Sequence, residues 1–214
     1  MTRCPSSGHI HTVQKMTTDK NSKKLALVKT AMALFYRKGI HAVGINEVLK
    51  VSGIAKKTLY HHFSSKDDLI LACLHYRDEM FIRWFTQQLD AVPAGKAALL
   101  AVFDALDSWF NNRSPAMGEF NGCFFINASA EYSREDSLIF AACRQHKIRV
   151  REIIKTHVDS FEADEDKSRQ LTDSLCLLKE GAITTAKVQA KPSAARDIKP
   201  LAAALINPGL PGNS

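Results

Sequence analysis

The chain has 214 residues, 45% of them hydrophobic, and a formal net charge of +7 at pH 7. This length and apolar content allow a folded core, which excludes an intrinsically disordered chain. Charged residues interrupt every long apolar run, so no segment reaches the roughly 18 to 20 apolar residues of a membrane helix. The N-terminus has no apolar signal region. We therefore expect a cytoplasmic protein that contacts no membrane.

Positive charge is concentrated in the first third of the chain. Residues 1–66 hold twelve Lys or Arg and two acids, a net of +10, whereas the other 148 residues carry a net of −3. This asymmetry indicates a polyanionic partner for the N-terminal part, most often nucleic acid or an anionic membrane. A generic solubilising surface is the alternative.

Motifs for catalysis and metal binding are missing from the sequence. The five cysteines are odd in number, widely spaced and never arranged as C-x-x-C, which argues against a disulfide framework and a structural zinc site. His61 and His62 point to different helical faces, so a regular helix cannot bring both to one metal. No phosphate-binding loop or nucleophile motif occurs. We expect no enzyme, no metal and no cofactor.

The N-terminal sequence predicts a tail followed by a helix. Residues 1–20 show no hydrophobic periodicity and are predicted to form a flexible tail. An apolar stripe then predicts a helix that begins at Ser22, as N-cap, and ends at Gly39. The stripe consists of Leu27, Ala31, Leu34 and Phe35.

Two short helices separated by a glycine turn are predicted next. The segment GINEVLKVSGI predicts about two helical turns, with Gly44 as N-cap and Gly53 at the end. In the following AKKTLYHHF, Leu59 and Phe63 at i and i+4 mark a buried side. Another face carries polar and aromatic groups, namely Lys56, Lys57, Tyr60 and His61. This layout is typical of a helix-turn-helix.

The remainder of the chain also predicts helices. Ser65 and Asp68 form a capping box that starts a helix at Lys66 and carries it to about Leu89. Further helical patterns occupy 94–111, 123–132, 134–161, 168–189 and 194–206, and no convincing period-2 strand occurs. We predict an all-α protein with a DNA-binding domain at 21–66 and a second helical domain at 67–214.

The segment GIHAVGINEVLKVSGIAKKTLYHHFSSKDDLI resembles the DNA-binding signature of the TetR/AcrR family of transcriptional regulators. The resemblance covers roughly Ser22 to Leu71 and rests on the glycine spacing, the T-L-Y-x-H-F core and the following S-K-x-x-L. It implies an N-terminal three-helix domain that binds DNA and a helical C-terminal domain that binds a small ligand. It also implies a homodimer formed by the last two long helices.

The resemblance implies roles for individual residues. The start of the recognition helix would lie nearest base edges and phosphates, and later residues would contact the DNA backbone. The implied DNA-binding set is Lys56, Lys57, Thr58, Tyr60, His61, Lys66 and Gly44. Lysine ammonium groups suit guanine or phosphate, and a tyrosine hydroxyl suits phosphate oxygens.

Two positions depart from the family pattern. Val43 and Gly44 stand where many members carry Thr or Ser, and Ala55 replaces a common serine. The backbone N–H groups at Gly44 can still bind a phosphate.

Aromatic residues of the C-terminal part have two interpretations. Most fill a helical core, and a subset can line an apolar cavity between helices. GCFFINASAEY resembles a short helix beside the ligand pocket in several family members, with Asn127 as a polar anchor. The predicted effector-binding set is Trp84, Phe103, Trp109, Phe110, Cys123, Phe124 and Asn127, and the effector is expected to be apolar or aromatic. Cys123 is either a packed thiol or one that senses electrophiles or oxidants.

The sequence therefore predicts a ligand-responsive transcriptional regulator, a repressor that binds a quasi-palindromic operator as a homodimer. The predicted dimer stripe lies on the penultimate helix and consists of Leu171, Leu175, Leu178, Ala182 and Ala186. The alternative function is a helical small-molecule-binding protein whose DNA binding has decayed.

Overall fold

The computed structural model describes residues 8–134 and 137–208, with side chains from Asn21 onward. All regular structure in these ranges is helical, which confirms the all-α prediction. The α-helices are α1 (Gly8–Lys38), α2 (Ile45–Ser52), α3 (Lys56–His62), α4 (Lys66–Asp90), α5 (Lys96–Phe110), α6 (Phe124–Glu131), α7 (Leu138–Asp159), α8 (Glu165–Val188) and α9 (Ala194–Ile206). A 3₁₀ turn occupies Pro115–Met117. Within the described ranges, no helix combines the length and apolar character needed to cross a bilayer.

The chain divides into two compact units, Met1–Cys73 and Leu74–Ser214. The predicted domain limits place the boundary at the start of α4, whereas the division into units falls later in the same helix.

The first unit is built on the apolar stripe of α1. All four predicted stripe residues are buried, and α1 packs against both α2 and α3. Val48 of α2 and Leu59 of α3 are fully buried in this unit. Burial of these side chains is needed because helices of seven and eight residues are marginal alone.

The start of α1 differs from the prediction. Ser22 is not an N-cap, because the helix already begins at Gly8. No glycine or proline occurs from residue 9 to residue 38, so no residue in this stretch breaks the helix, and Gly39 with φ 91° follows its end. The mobility predicted for residues 1–20 stays a prediction, and residues 1–7 lie outside the described part.

The start of α4 follows the predicted capping box. The Ser65 hydroxyl accepts from the Asp68 N–H at 3.1 Å, and the Asp68 carboxylate accepts from the Ser65 N–H at 3.2 Å. The same carboxylate also accepts from the Ser64 N–H at 3.0 Å. These reciprocal bonds satisfy backbone donors that a helix start otherwise leaves without partners.

The second unit packs its helices around an aromatic core. Helix α5 packs against α7, α8 and α9, and α8 packs against both α7 and α9. Phe81 forms edge contacts with Trp84 and Trp109, at centroid distances of 5.4 and 5.9 Å. Helix α7 begins at Leu138 with Ser137 as N-cap, later than the predicted residue 134. Asp164 caps α8, which begins at Glu165, earlier than the predicted residue 168.

The predicted dimer stripe was wrong for three of its five residues. Leu175, Ala182 and Ala186 are buried within the chain because α8 packs on α7 and α9. Periodicity marks an apolar face but does not say which neighbour covers it. The large apolar side chains that α8 and α9 expose are Leu177, Val188, Leu201 and Leu205.

Candidate functional site

Two glycines flank α2, as predicted, and the second opens the turn to α3. Gly44 is the N-cap of α2, with no side-chain cap, and a Cβ added there would meet no atom within 4 Å. Gly53 adopts φ 67° and its N–H donates to the Leu49 carbonyl at 3.0 Å. This left-handed conformation favours glycine because a side chain would clash with the backbone. The turn thus sets the direction in which α3 leaves α2.

Helix α3 has a buried side and an exposed side. Leu59 is buried, and so is Phe63, which directly follows the helix. Thr58 is half-buried. The exposed face brings together four of the predicted DNA-binding residues: Lys56, Lys57, Tyr60 and His61.

The exposed face of α3 carries uncompensated positive charge. Glu47 is the only acid between residues 21 and 66, and it pairs with Lys38 at 2.6 Å. No other described residue forms an ion pair with Lys56 or Lys57, and the Lys56 ammonium lies 5.9 Å from the Tyr60 ring centroid. Flexible ammonium groups beside an aromatic hydroxyl are suited to phosphate and base-edge acceptors.

Lys66 makes its described contacts with other parts of the first unit and not with this face. Its ammonium donates to the Ile40 carbonyl at 2.7 Å and lies 5.8 Å from the Phe35 ring centroid. It therefore stabilises the chain just after α1, a structural role that the sequence did not reveal. Its implied contact with DNA stays a prediction.

Comparison with known proteins agrees with this geometry. Residues 27–73 match the family model described as bacterial regulatory proteins, tetR family. The crystal structure of SCO4454, a TetR-family transcriptional regulator from Streptomyces coelicolor, superposes with a TM-score of 0.75 at 27% identity. That superposition covers 87% of this chain and 95% of the other. Residues 27–73 thus carry the TetR-family domain, and the chain shares the fold of a TetR-family transcriptional regulator.

Curated relatives are similar to this chain over part of their own length. The activator FasR of Mycolicibacterium smegmatis is 28% identical over 95 residues, which cover 44% of this chain and 43% of FasR. The repressor KstR2 of Rhodococcus jostii is 26% identical over 96 residues, which cover 43% of this chain and 47% of KstR2. The chain thus spans less than half the length of each of these two relatives.

In the second unit, the predicted effector-binding set is only partly brought together. Trp109, Cys123 and Phe124 line an enclosed cavity of about 10 Å³. This volume is close to the minimum for one water molecule. Trp84, Phe103 and Phe110 are buried, and the Asn127 amide donates to the Asn121 carbonyl at 3.2 Å. The effector-binding roles of the set stay predictions.

Ionisable side chains that were not predicted from the sequence also line this cavity. They are Arg77, His146, Lys147 and Lys179. Cys123 is buried, as a packed thiol would be, and its sulfur accepts from the Lys147 ammonium at 3.5 Å. The missed signal is a basic residue on an apolar stripe: Lys179 lies four residues after Leu175 and three before Ala182.

His146 is the centre of a buried polar network. Its Nδ1 lies 2.7 Å from the Asp78 carboxylate, and its ring stacks on Phe125 with centroids 3.6 Å apart. Arg149 also contacts Asp78. Burial, only partly opposed by Asp78, lowers the pKa of His146 to about 4, so the neutral ring donates its Nδ1–H to the carboxylate at neutral pH. Within the described residues, no cluster of three His, Cys, Asp or Glu could hold a metal.

The depressed pKa of His146 predicts that stability falls in mild acid. The unfolded chain binds this proton below about pH 6.5, whereas the folded chain resists it until about pH 4, so stability is lost as pH falls between these values. We expect a loss of about 2 kcal/mol in the free energy of unfolding between pH 7 and pH 5 from this residue. Urea titrations at the two pH values measure it.

The variant His146→Gln is the control for this effect, because glutamine can still donate to Asp78 but does not titrate. Its pH-dependent loss should be smaller than that of the wild type by about the same amount. Equal losses in both proteins would contradict the role of His146.

Proposed function

We propose that this chain is a ligand-responsive, one-component transcriptional repressor. A homodimer binds a quasi-palindromic operator through α3 of each protomer, and a small molecule bound in the second unit alters operator affinity. Such control requires that the effector bind the DNA-competent and incompetent states with different affinity. A cytoplasmic location is part of the proposal, because the regulator must reach chromosomal DNA.

The observation that carries the proposal is the exposed basic face of α3 within a TetR-family helix-turn-helix. Leu59 and Phe63 fix the helix, and Lys56, Lys57 and Tyr60 project from it without an acidic partner among the described residues. A recognition helix in the major groove needs this division between a packed side and a polar side.

The exposed apolar residues of α8 and α9 support the homodimer. Leu177 is 72% exposed and Val188 is 78% exposed, and Leu201 and Leu205 of α9 are also exposed. Gly181, one turn after Leu177, has open space beyond its Cα, which would let a partner helix approach closely. A two-fold dimer places two recognition helices about 34 to 36 Å apart, one turn of DNA.

The direction of control is open to a direct test. One relative described above is a repressor and another an activator, and both are similar over less than half their length. A reporter gene placed behind the operator should be silenced by the chain and released by the effector. Activation of the reporter would still support a transcriptional regulator but would show that it is an activator.

Selection from random double-stranded DNA with the full chain tests DNA binding itself. We expect enrichment of an inverted repeat, with affinity that falls steeply as salt rises because phosphate contacts release counterions. If no sequence is enriched, the alternative is favoured: a helical small-molecule-binding protein with decayed DNA binding.

A further inference from the structure

Two lysines of the second unit share one carboxylate. Lys147 of α7 donates to Glu180 of α8 at 2.7 Å, and Lys179 contacts the other oxygen of the same carboxylate. Lys179 is only 3% exposed. Burial raises the pKa of Glu180, but the two lysines outweigh it and lower the pKa to about 2, so the carboxylate stays ionised. Two ammonium groups against one carboxylate leave an excess positive charge.

Such an excess is costly where burial limits hydration, as at Lys179, while the side chains of Lys147 and Glu180 remain 31% and 30% exposed. Buried charges are normally paired, because burial removes the hydration that stabilises them. Burial opposes the charged form of Lys147, but Cys123 and Glu180 together outweigh burial and raise the pKa of Lys147. Lys147 therefore keeps its proton, and an additional anion near it would be stabilised.

A groove of suitable size opens beside Lys147. It has a volume of about 580 Å³, within the range of roughly 300 to 1,000 Å³ that is typical of small-molecule sites. It runs between α6 and α7, and its lining residues are Phe125, Ser129, Phe140, Ala141, Cys143, Arg144 and Lys147. Phe125 and Lys147 also line the enclosed cavity described above, so the two spaces share one layer of side chains.

The lining combines an apolar wall with positive charge. Phe125, Phe140 and Ala141 supply apolar surface, and Arg144 and Lys147 are the charged groups. Among the described residues, no Asp or Glu lines the groove and none forms an ion pair with Arg144. Burial raises the pKa of the Cys143 thiol to about 12, so it adds no negative charge at neutral pH. The groove is thus complementary to an anion with an apolar body.

We propose that the effector is a small organic acid, whose carboxylate pairs with Lys147 and Arg144 and whose apolar body lies against Phe125 and Phe140. This inference rests on the proposed function and narrows the predicted effector from apolar or aromatic molecules to their anionic members. Arginine can bind a carboxylate through two parallel hydrogen bonds, while Lys147 adds a point charge.

Matched probes with and without the charge test the proposal. Calorimetric titration of the full chain would compare decanoate, below its micelle concentration, with decanol, below its solubility limit, and naphthoate with naphthalenemethanol. At least one acid should bind about tenfold or more tightly than its alcohol, because a charge-assisted hydrogen bond is lost in the alcohol. Equal affinity within both pairs, or no binding of either acid, would overturn the proposal.

Variants distinguish binding in the groove from non-specific electrostatic attraction of the acid to the chain. Arg144→Gln, at an exposed position, should weaken acid binding about tenfold and leave alcohol binding unchanged. Lys147→Gln should act similarly and leaves Lys179 and Glu180 as a balanced pair. Lys155→Gln is the matched control, since Lys155 lies on the same helix but pairs with Asp159 instead of lining the groove. Acid binding that Arg144→Gln leaves unchanged would contradict the site.

The DNA-selection and acid-binding experiments test the regulator function and the acid effector separately. If an operator is selected but neither acid binds, the regulator proposal stands and the acid effector is wrong. If acids bind the groove but no DNA sequence is enriched, the site stands as a binding site and the regulator proposal is wrong.

Discussion

Replacing Lys57 with alanine is expected to weaken operator binding about thirtyfold, and adding Tyr60→Ala should weaken it further. Both side chains are exposed on α3, so their loss removes contacts with DNA and not packing within the unit. A polar contact with nucleic acid contributes about 1 kcal/mol, and each substitution occurs twice in a dimer. The combined loss of about 2 kcal/mol corresponds to about thirtyfold in affinity.

Fluorescence anisotropy at fixed salt, followed by a salt series, measures this effect. If Lys57 contacts a phosphate, its removal weakens binding to all sequences alike and reduces the dependence on salt. If Lys57 contacts a base edge, the variant loses discrimination at one operator position instead.

A charge-matched control completes the experiment. Lys167→Ala removes the same charge from α8 of the second unit, where the ammonium is exposed, and should leave operator affinity unchanged. Circular dichroism should show native helicity for all variants, because exposed substitutions usually change stability by less than about 0.5 kcal/mol. Wild-type affinity in both Lys57→Ala and Tyr60→Ala would refute the assignment of α3.

Replacing Leu177 with glutamate is expected to convert the dimer to a monomer. Leu177 is one of the most exposed large apolar residues of α8, and a two-fold interface would bring two copies of the new charge together in an apolar environment. We expect the dissociation constant to rise at least about thirtyfold, which corresponds to about 2 kcal/mol. Light scattering at micromolar concentration measures the change.

The chain offers a closely matched control for this substitution. Leu138 at the start of α7 is 71% exposed, against 72% for Leu177, so Leu138→Glu introduces the same charge at equal exposure. It should leave the dimer intact. A monomeric wild type, or a Leu177→Glu variant that remains dimeric, would show that this face of α8 is not the interface.

Local signals explain why the helix-turn-helix could be predicted. Gly44, Gly53 and the Ser65–Asp68 pair mark helix ends through backbone conformation or bonds to near neighbours in sequence. Such signals depend on a few adjacent residues, so the sequence contains them in full. The N-terminal extension of α1 was missed because its polar sequence has no hydrophobic periodicity to indicate a helix. It nevertheless contains no residue that would end one.

Long-range contacts explain what could not be predicted. Lys147 and Glu180 are 33 residues apart, and Asp78 and His146 are 68 apart, so their pairing depends on how the helices pack. The lysine at residue 179 interrupts an apolar stripe, which marks it as unusual but does not name its partner. Similarly, α8 carries apolar residues on more than one side, and only packing shows that Leu175 is covered while Leu177 is not.

The aromatic core of the second unit also provides an optical reporter. Trp84 and Trp109 are the only tryptophans of the chain, and their ring centroids lie 6.0 Å apart. Trp109 lines the enclosed cavity, whereas the first unit contains no tryptophan. Tryptophan emission, excited at wavelengths where tyrosine does not absorb, therefore reports on the second unit alone and needs no attached dye. A spectral change on adding operator DNA would show that DNA binding at α3 alters the surroundings of these two indoles.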